Sequence, residues 1–193
     1  MNRVIVAVLL MTASGLLRAD VEVTFKGVLF GVSETAFTEK NPGFRCRTTD
    51  IRFKASSDRN CTVYGKPEHN YQRPKLEAGT FAGVAANIDA AFFEDKLASV
   101  HVYVFATDFE DVLRALLDRF GKPDSLENMI VKNRMGAEFQ NVVALWKRGD
   151  VILKAERFGS DLTESLVSYQ TTWGIEEFKK RRDPQRGKAA SDM

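Results

Sequence analysis

The chain has 193 residues, of which 44% are hydrophobic and 28% charged, and its formal net charge is +2. With 13 glycines, five prolines and two cysteines, this composition is typical of a globular protein. It excludes a disordered chain, a collagen-like fibre, a coiled coil and a disulfide-dense miniprotein. The length predicts one domain, or two small half-domains that share a core.

The first 19 residues have the pattern of a secretory signal peptide. Arg3 supplies a positive charge, an apolar run follows over residues 4–11, and Leu17 and Ala19 stand where signal peptidase selects its residues. We expect cleavage after Ala19 and a periplasmic or secreted protein. No later apolar run reaches the roughly 18 residues of a transmembrane helix, so we predict no membrane span after cleavage.

Charge is distributed unevenly along the remaining chain. Residues 178–193 carry six basic and two acidic residues, whereas residues 20–177 carry 20 basic and 24 acidic residues. An acidic domain is a poor platform for phosphates, so we predict no nucleic-acid partner. We expect a disordered tail. Its basic cluster either binds an anionic envelope surface or simply solvates the chain end. The cluster consists of Lys179, Lys180, Arg181 and Arg182.

The two cysteines, Cys46 and Cys61, predict one disulfide in an exported protein. The closed loop of about 15 residues corresponds to roughly 3 kcal/mol of stabilisation. Free thiols and half of a metal site are the alternatives. The cysteine spacing matches no common zinc pattern, so we predict no metal.

The first half of the domain is predicted to contain short strands and one short helix. We expect a strand over residues 21–29 and then a helix that Ser33 caps and Pro42 ends. Strands over residues 44–54 and 61–64 follow, tied by the disulfide, and then a polar loop over residues 65–74.

Residues 81–105 carry the strongest β signal and predict a hairpin around Glu94-Asp95-Lys96. A three-residue loop would gather polar side chains on one face, opposite a face of valines, alanines, Ile88 and Phe92. A loop of two or four residues would instead move His101 and Tyr103 into the core. We favour the first register because it separates apolar from polar residues, although Lys96 suits a positive-φ position poorly. Its polar face would contain Asn87, Asp89, Ser99, His101 and Tyr103.

Residues 107–120 predict the longest helix. Thr107 and Glu110 form a capping-box pattern, and Gly121 with Pro123 ends the helix. One apolar stripe recurs at steps of three and four residues, so this helix is expected to pack on a sheet. The stripe contains Phe109, Val112, Leu113, Leu116, Leu117 and Phe120.

Residues 141–172 predict a three-stranded meander with turns at 148–149 and 158–161, and residues 175–182 predict a last short helix. The predicted fold class is therefore α+β. An antiparallel sheet, built from the hairpin 81–105 and the meander 141–172, is packed by one long amphipathic helix and one short helix.

Two segments suggest an internal repetition. Each segment shows a cap, a helix and a Pro-Gly or Gly-x-Pro stop before a set of strands. The two segments are GVSETAFTEKNPG and FATDFEDVLRALLDRFGKPD. At these segments the chain resembles the tandem helix-plus-antiparallel-sheet units of the β-lactamase-inhibitor-protein type, a layout shared by small outer-membrane assembly lipoproteins. The resemblance implies half-units 20–106 and 107–177 and binding of other proteins through the sheet. The chain lacks the lipidated cysteine of the lipoproteins.

No set of residues in the sequence predicts catalysis or a cofactor. The two histidines, His69 and His101, have no partner at zinc-ligand spacing, and no nucleophile elbow or phosphate-binding loop is present. Carboxylates that meet only in the folded chain leave a hydrolase open as an alternative. His101 either titrates near neutral pH beside Asp89 or is an ordinary half-buried strand residue.

We therefore expect an exported, non-catalytic binding or inhibitor-type protein of the bacterial envelope, as a monomer or weak dimer, whose partner is another protein. An envelope-surface protein that uses the basic tail is a further alternative. The expected contact face contains Asn87, Asp89, Phe93, His101 and Tyr103.

Overall fold

A computed structural model describes residues 22–48, 58–65 and 79–180. The predicted signal peptide, most of the polar loop 65–74, Arg181, Arg182 and the rest of the tail lie outside these residues.

The described residues form an α+β fold with helices on an antiparallel sheet. The helices are α1 Glu34–Lys40, α2 Phe109–Phe120 and α3 over residues 172–180. The strands are β1 Thr24–Phe25, β2 Val28–Leu29, β3 Arg45–Thr48, β4 Arg59–Val63, β5 Thr80–Phe81, β6 Val84–Ala85, β7 Asn87–Phe93, β8 Lys96–Phe105, β9 Ser125–Lys132, β10 Glu138–Arg148, β11 Val151–Asp161 and β12 Glu164–Thr171.

Eight of these strands form the main sheet, in the spatial order β3-β4-β7-β8-β12-β11-β10-β9. Helix α1 precedes the first four in the chain, and α2 precedes the last four. The final strand of each set, β8 or β12, lies in the middle of the sheet, where the two pair antiparallel. Strands β1 with β2 and β5 with β6 form separate small hairpins.

The hydrophobic core lies between the sheet and the helices. Phe37 of α1 contacts Phe44 and Phe92, with ring centroids 4.9 and 5.5 Å apart, and Phe120 of α2 contacts Tyr169 of β12 at 6.5 Å. Because side chains alternate along strands, the other sheet face carries the residues between the buried ones. We call that second face, opposite α1 and α2, the open face.

The N-terminal strand prediction over residues 21–29 is wrong, because the chain reverses within it. Lys26 and Gly27 have φ angles of +47° and +74° and join β1 to β2 in a two-residue turn. The prediction for the following helix is confirmed, since the Ser33 hydroxyl accepts a hydrogen bond from the Ala36 N–H at 3.2 Å.

The predicted hairpin has the expected faces but a different turn. Glu94 and Asp95 occupy the turn alone, with φ angles of +49° and +59°, so Lys96 starts β8. One extra residue, Ala98, lies between the pairs Phe92–Leu97 and Ala91–Ser99. This bulge restores the register of a three-residue loop, and His101 therefore pairs with Asp89 on the open face.

The capping box predicted for α2 is wrong. Residues Ala106–Asp108 form a 3₁₀ turn, so Thr107 lies within that turn and makes no cap hydrogen bond to the helix. Its hydroxyl lies 3.4 Å from the Asp108 carboxylate. The apolar stripe is buried at four positions, whereas Leu117 is 38% exposed. Gly121, at φ +71°, ends the helix as predicted.

The predicted meander contains its three strands, but β9 is an additional strand that pairs with β10. Strand β11 continues to Asp161 with an irregularity after Glu156, so the turn predicted at 158–161 falls at 162–163 instead. Helix α3 begins at residue 172, directly after β12, and not at residue 175.

Candidate functional site

Four of the five predicted contact residues lie together on the open face. Asn87 pairs with Tyr103, and Asp89 pairs with His101, across β7 and β8. Directly opposed residues of an antiparallel pair share a face, so these four side chains form one cluster. All four are half-buried.

The cluster continues across the middle of the sheet into β12 and β11. His101 pairs with Ser168, which in turn pairs with Lys154, and Tyr103 pairs with Leu166. His101 Nε2 lies 3.5 Å from Gln170 Nε2. These β11 and β12 residues are not among the predicted contact residues. The β8–β12 pairing joins segments far apart in the chain, and no local pattern indicates it.

On the other side the cluster reaches the first strands of the sheet. Asp89 pairs with Thr62, and Thr62 pairs with Arg45. One row of side chains therefore crosses the open face from β3 to β10. The row consists of Arg45, Thr62, Asp89, His101, Ser168, Lys154 and Leu145.

Backbone packing beside β7 fixes the position of Asn87. The Asn87 side-chain oxygen accepts a hydrogen bond from the Gly65 N–H at 3.1 Å. Gly65 packs so closely on its neighbours that a Cβ there would lie 1.9 Å from the Gly79 carbonyl oxygen. Only glycine fits this contact, which holds the chain after β4 against the residue that precedes β5.

Burial shifts the pKa of three cluster residues. It lowers the pKa of His101, and the positive charge of Lys154 lowers it further. It raises the pKa of Asp89, with Arg47 opposing this shift and Glu164 adding to it. It also raises the pKa of Tyr103, helped by Asp89 and Glu164. Near neutral pH the face therefore presents a neutral imidazole and a protonated phenol. Such groups donate and accept hydrogen bonds, and concentrated pKa shifts are typical of functional sites.

Phe93, the fifth predicted contact residue, lies apart from the other four. It ends β7, opposite Lys96, and lines a cleft of about 440 Å³ with Trp173 and Glu176 near α3. The structure therefore separates the predicted contact set into a central cluster and one aromatic residue at the turn end of the hairpin.

Comparisons with protein-family models, with curated proteins and with solved structures found no match to this chain.

Cys46 and Cys61 form the predicted disulfide, between directly opposed residues of β3 and β4. The Glu34 carboxylate lies close by, with its oxygen and the two sulfurs all within 4.8 Å of one another. Because the sulfurs are bonded to each other, they offer no thiolate to a metal ion. Glu34 instead binds Arg59 Nε at 2.8 Å.

The described part of the basic cluster lies at the end of α3. Lys179 and Lys180 are exposed there. Lys180 Nζ lies 2.7 Å from the Glu177 carboxylate, and this hydrogen bond raises the pKa of Lys180. Arg181 and Arg182 lie outside the described residues. Within the described ranges, no helix is both long and apolar enough to cross a membrane.

Proposed function

We propose that this chain is an exported binding or inhibitor-type protein of the bacterial envelope that docks another protein on its open face. The observation that carries the proposal is the asymmetry of the sheet. Among the described residues, α1 and α2 lie on one face, whereas the other face presents a cluster of polar and aromatic side chains whose pKa values are shifted.

The composition of the open face suits a protein partner. Tyr103 and His101 supply rigid, amphipathic surface at the centre, and half-buried Leu166 and Ile152 lie among the polar residues. Protein interfaces combine aromatic anchors with polar groups in this way, and binding energy concentrates at such central residues. The disulfide is compatible with export. The resemblance to the inhibitor-type units also implies binding through the sheet.

Site-specific photocross-linking tests this function. A benzophenone amino acid replaces Tyr103 in one chain and exposed Glu110 of α2 in the matched control, and each chain is irradiated in the native extracytoplasmic fraction. We expect one cross-linked protein from position 103 that is absent from position 110. Excess unlabelled wild-type chain should suppress the product.

Competition by variants then identifies the contact residues. A His101→Ala chain that matches the wild-type melting curve should compete about tenfold less well, as expected when a central contact is removed. The proposal fails if position 103 gives no specific product, or if the folded variant competes as well as the wild type.

Asp89 and Glu164 support a second candidate, a carboxylate-based hydrolase. Both face the open side, and the pKa of Asp89 is raised first by burial and then, against the opposing charge of Arg47, by the charge of Glu164. A raised carboxyl pKa is a property of general acids in glycoside hydrolysis. If the wild-type chain hydrolyses a member of a glycan panel and the Asp89→Asn variant does not, this candidate is favoured. If no member of the panel is hydrolysed, the candidate is removed.

A further inference from the structure

Strand β9 forms one edge of the main sheet among the described strands, and it is long and regular although it carries two charged residues, Glu127 and Lys132. It pairs with β10 over all eight of its residues without a bulge, and it contains no proline. At the opposite edge of the described sheet, β3 carries Arg45 and Arg47 and is tied to β4 by the disulfide. A long and regular edge strand is a template for pairing with another strand.

Apolar side chains are exposed along β9. Leu126 is 56% exposed, Ile130 is 57% exposed and Met129 is 40% exposed. Leu126 and Ile130 lie on the same sheet face, because they are separated by an even number of residues. Water therefore surrounds an apolar pair on a strand whose outer side is not paired by any other described strand.

The hydrogen bonds of the β9–β10 turn show which backbone groups face outward. The Asn133 N–H donates to the Ala137 carbonyl at 3.0 Å, in the same register as the ladder. Because successive residues direct their backbone groups to opposite sides, odd-numbered residues of β9 face β10. The N–H and C=O groups of Leu126, Asn128 and Ile130 therefore face away from the sheet.

We propose that β9 pairs antiparallel with β9 of a second copy of this chain, about a two-fold axis that passes through Asn128. In this register Asn128 opposes itself, and Leu126 of each copy opposes Ile130 of the other. The outward backbone groups then meet as hydrogen-bonded pairs, and the four exposed apolar side chains form one cluster on a single face.

Charge and register both favour this axis over its neighbours. Within one copy Lys132 pairs with Glu138 at 2.8 Å, and Asp124, whose side chain is 44% exposed, pairs with Arg148 at 2.9 Å. In the dimer Lys132 of each copy comes next to the other copy's Asp124, so opposite charges also meet at both ends of the paired strands. An axis at Met129 would place Leu126 opposite Lys132. An axis at Glu127 would place two carboxylates opposite each other, which destabilises a strand pair.

The dimer joins two eight-stranded sheets edge to edge into one continuous sheet. The open faces of both copies then lie on the same side, because a two-fold axis perpendicular to the sheet preserves its faces. This arrangement does not depend on what the open face binds.

Sedimentation analysis of the exported chain, residues 20–193, tests the proposal. We expect a concentration-dependent dimer between about 10 µM and about 1 mM, a range typical of weak association.

Asn128→Pro removes an outward N–H and leaves the β9–β10 ladder in place, as proline is tolerated on edge strands. It should raise the dimer dissociation constant about tenfold or more. The matched Asn128→Thr variant keeps the N–H and should dimerise as the wild type does.

Cross-linking tests the register. Under mild oxidation, an Asn128→Cys chain should form a covalent dimer, because the two copies of this residue oppose each other. A Met135→Cys chain, with the cysteine at an exposed position in the β9–β10 turn, should not form a covalent dimer.

A wild-type chain that remains monomeric over the whole range overturns the proposal, as does a folded Asn128→Pro chain that dimerises normally. If Asn128→Pro does not fold, Ile130→Lys decides in its place, with a monomer in support and a dimer in contradiction.

Discussion

His101 is the residue whose protonation most directly links the open face to stability. Its pKa is lowered from the ordinary value of 6.5, first by burial and then by Lys154. As the pH falls below 6.5, the unfolded chain therefore binds a proton that the folded chain resists. Stability contributed by neutral His101 is complete above this pH and is lost as the pH falls toward the lowered pKa.

We expect the free energy of unfolding to decrease between about pH 7.5 and about pH 5.5, by at most about 1.4 kcal/mol per pH unit for one group. A His101→Gln variant should show a shallower decrease in urea titrations at the two pH values. Asp89, with its raised pKa, contributes the opposite slope at lower pH, but both chains retain it. Equal slopes in the two chains would show that His101 is not the group responsible.

At this scale the sequence predicts which face a residue occupies but not its neighbours across the sheet. Strict alternation places Asn87, Asp89, His101 and Tyr103 together because the side-chain period of a strand is two. Gln170 lies 69 residues from His101 in the chain, and only the long-range pairing of β8 with β12 brings the two close.

At the scale of elements, α2 is anchored to β10 through the carbonyl groups at its end. The Trp146 indole N–H donates to the Gly121 carbonyl at 2.8 Å, and the Arg148 guanidinium donates to the Phe120 carbonyl at 2.9 Å. The last carbonyls of a helix have no partner within the helix, so these side chains supply hydrogen bonds there.

We expect Trp146→Phe to reduce the free energy of unfolding by about 1–3 kcal/mol, since it removes a buried hydrogen bond and leaves a small void. The chain has one other tryptophan, the half-buried Trp173 of α3. Trp173→Phe is the matched control and should cost clearly less in the same urea titration. Equal losses from both variants would contradict the anchoring role of Trp146.

The elements that sequence reasoning predicts well are those with strong periodicity. Four of the six stripe residues of α2 are buried as the helical period requires. The sequence pattern does not predict strand β9, because its apolar residues, Leu126, Met129, Ile130 and Val131, do not alternate. An edge strand that buries neither face fully need not show the period of two from which strands are recognised.

At the scale of the whole molecule, Tyr169 connects parts of the chain that are distant in sequence. Its ring lies 5.7 Å from Phe25, 6.1 Å from Phe30, 6.4 Å from Phe81 and 6.5 Å from Phe120, centroid to centroid. Phe25 lies in the β1–β2 hairpin, and Phe30 follows it. Phe81 lies in the β5–β6 hairpin, and Phe120 is the last residue of α2. One aromatic cluster thus joins both sets of strands and α2 around the central β8–β12 pair.

Because this core is shared, the domain should unfold in a single cooperative transition. In differential scanning calorimetry we expect the calorimetric and van't Hoff enthalpies to agree, as they do for a two-state domain. Tyr169→Ala should cost about 3–5 kcal/mol, in the range of large-to-small changes in a core, and should lower the whole transition without splitting it. Leu29→Ala, at a residue 42% exposed, is the control and should cost less than about 1 kcal/mol. Two separate transitions in the wild-type chain would instead mean that the strand sets around β8 and β12 fold independently and that Tyr169 stabilises only one of them.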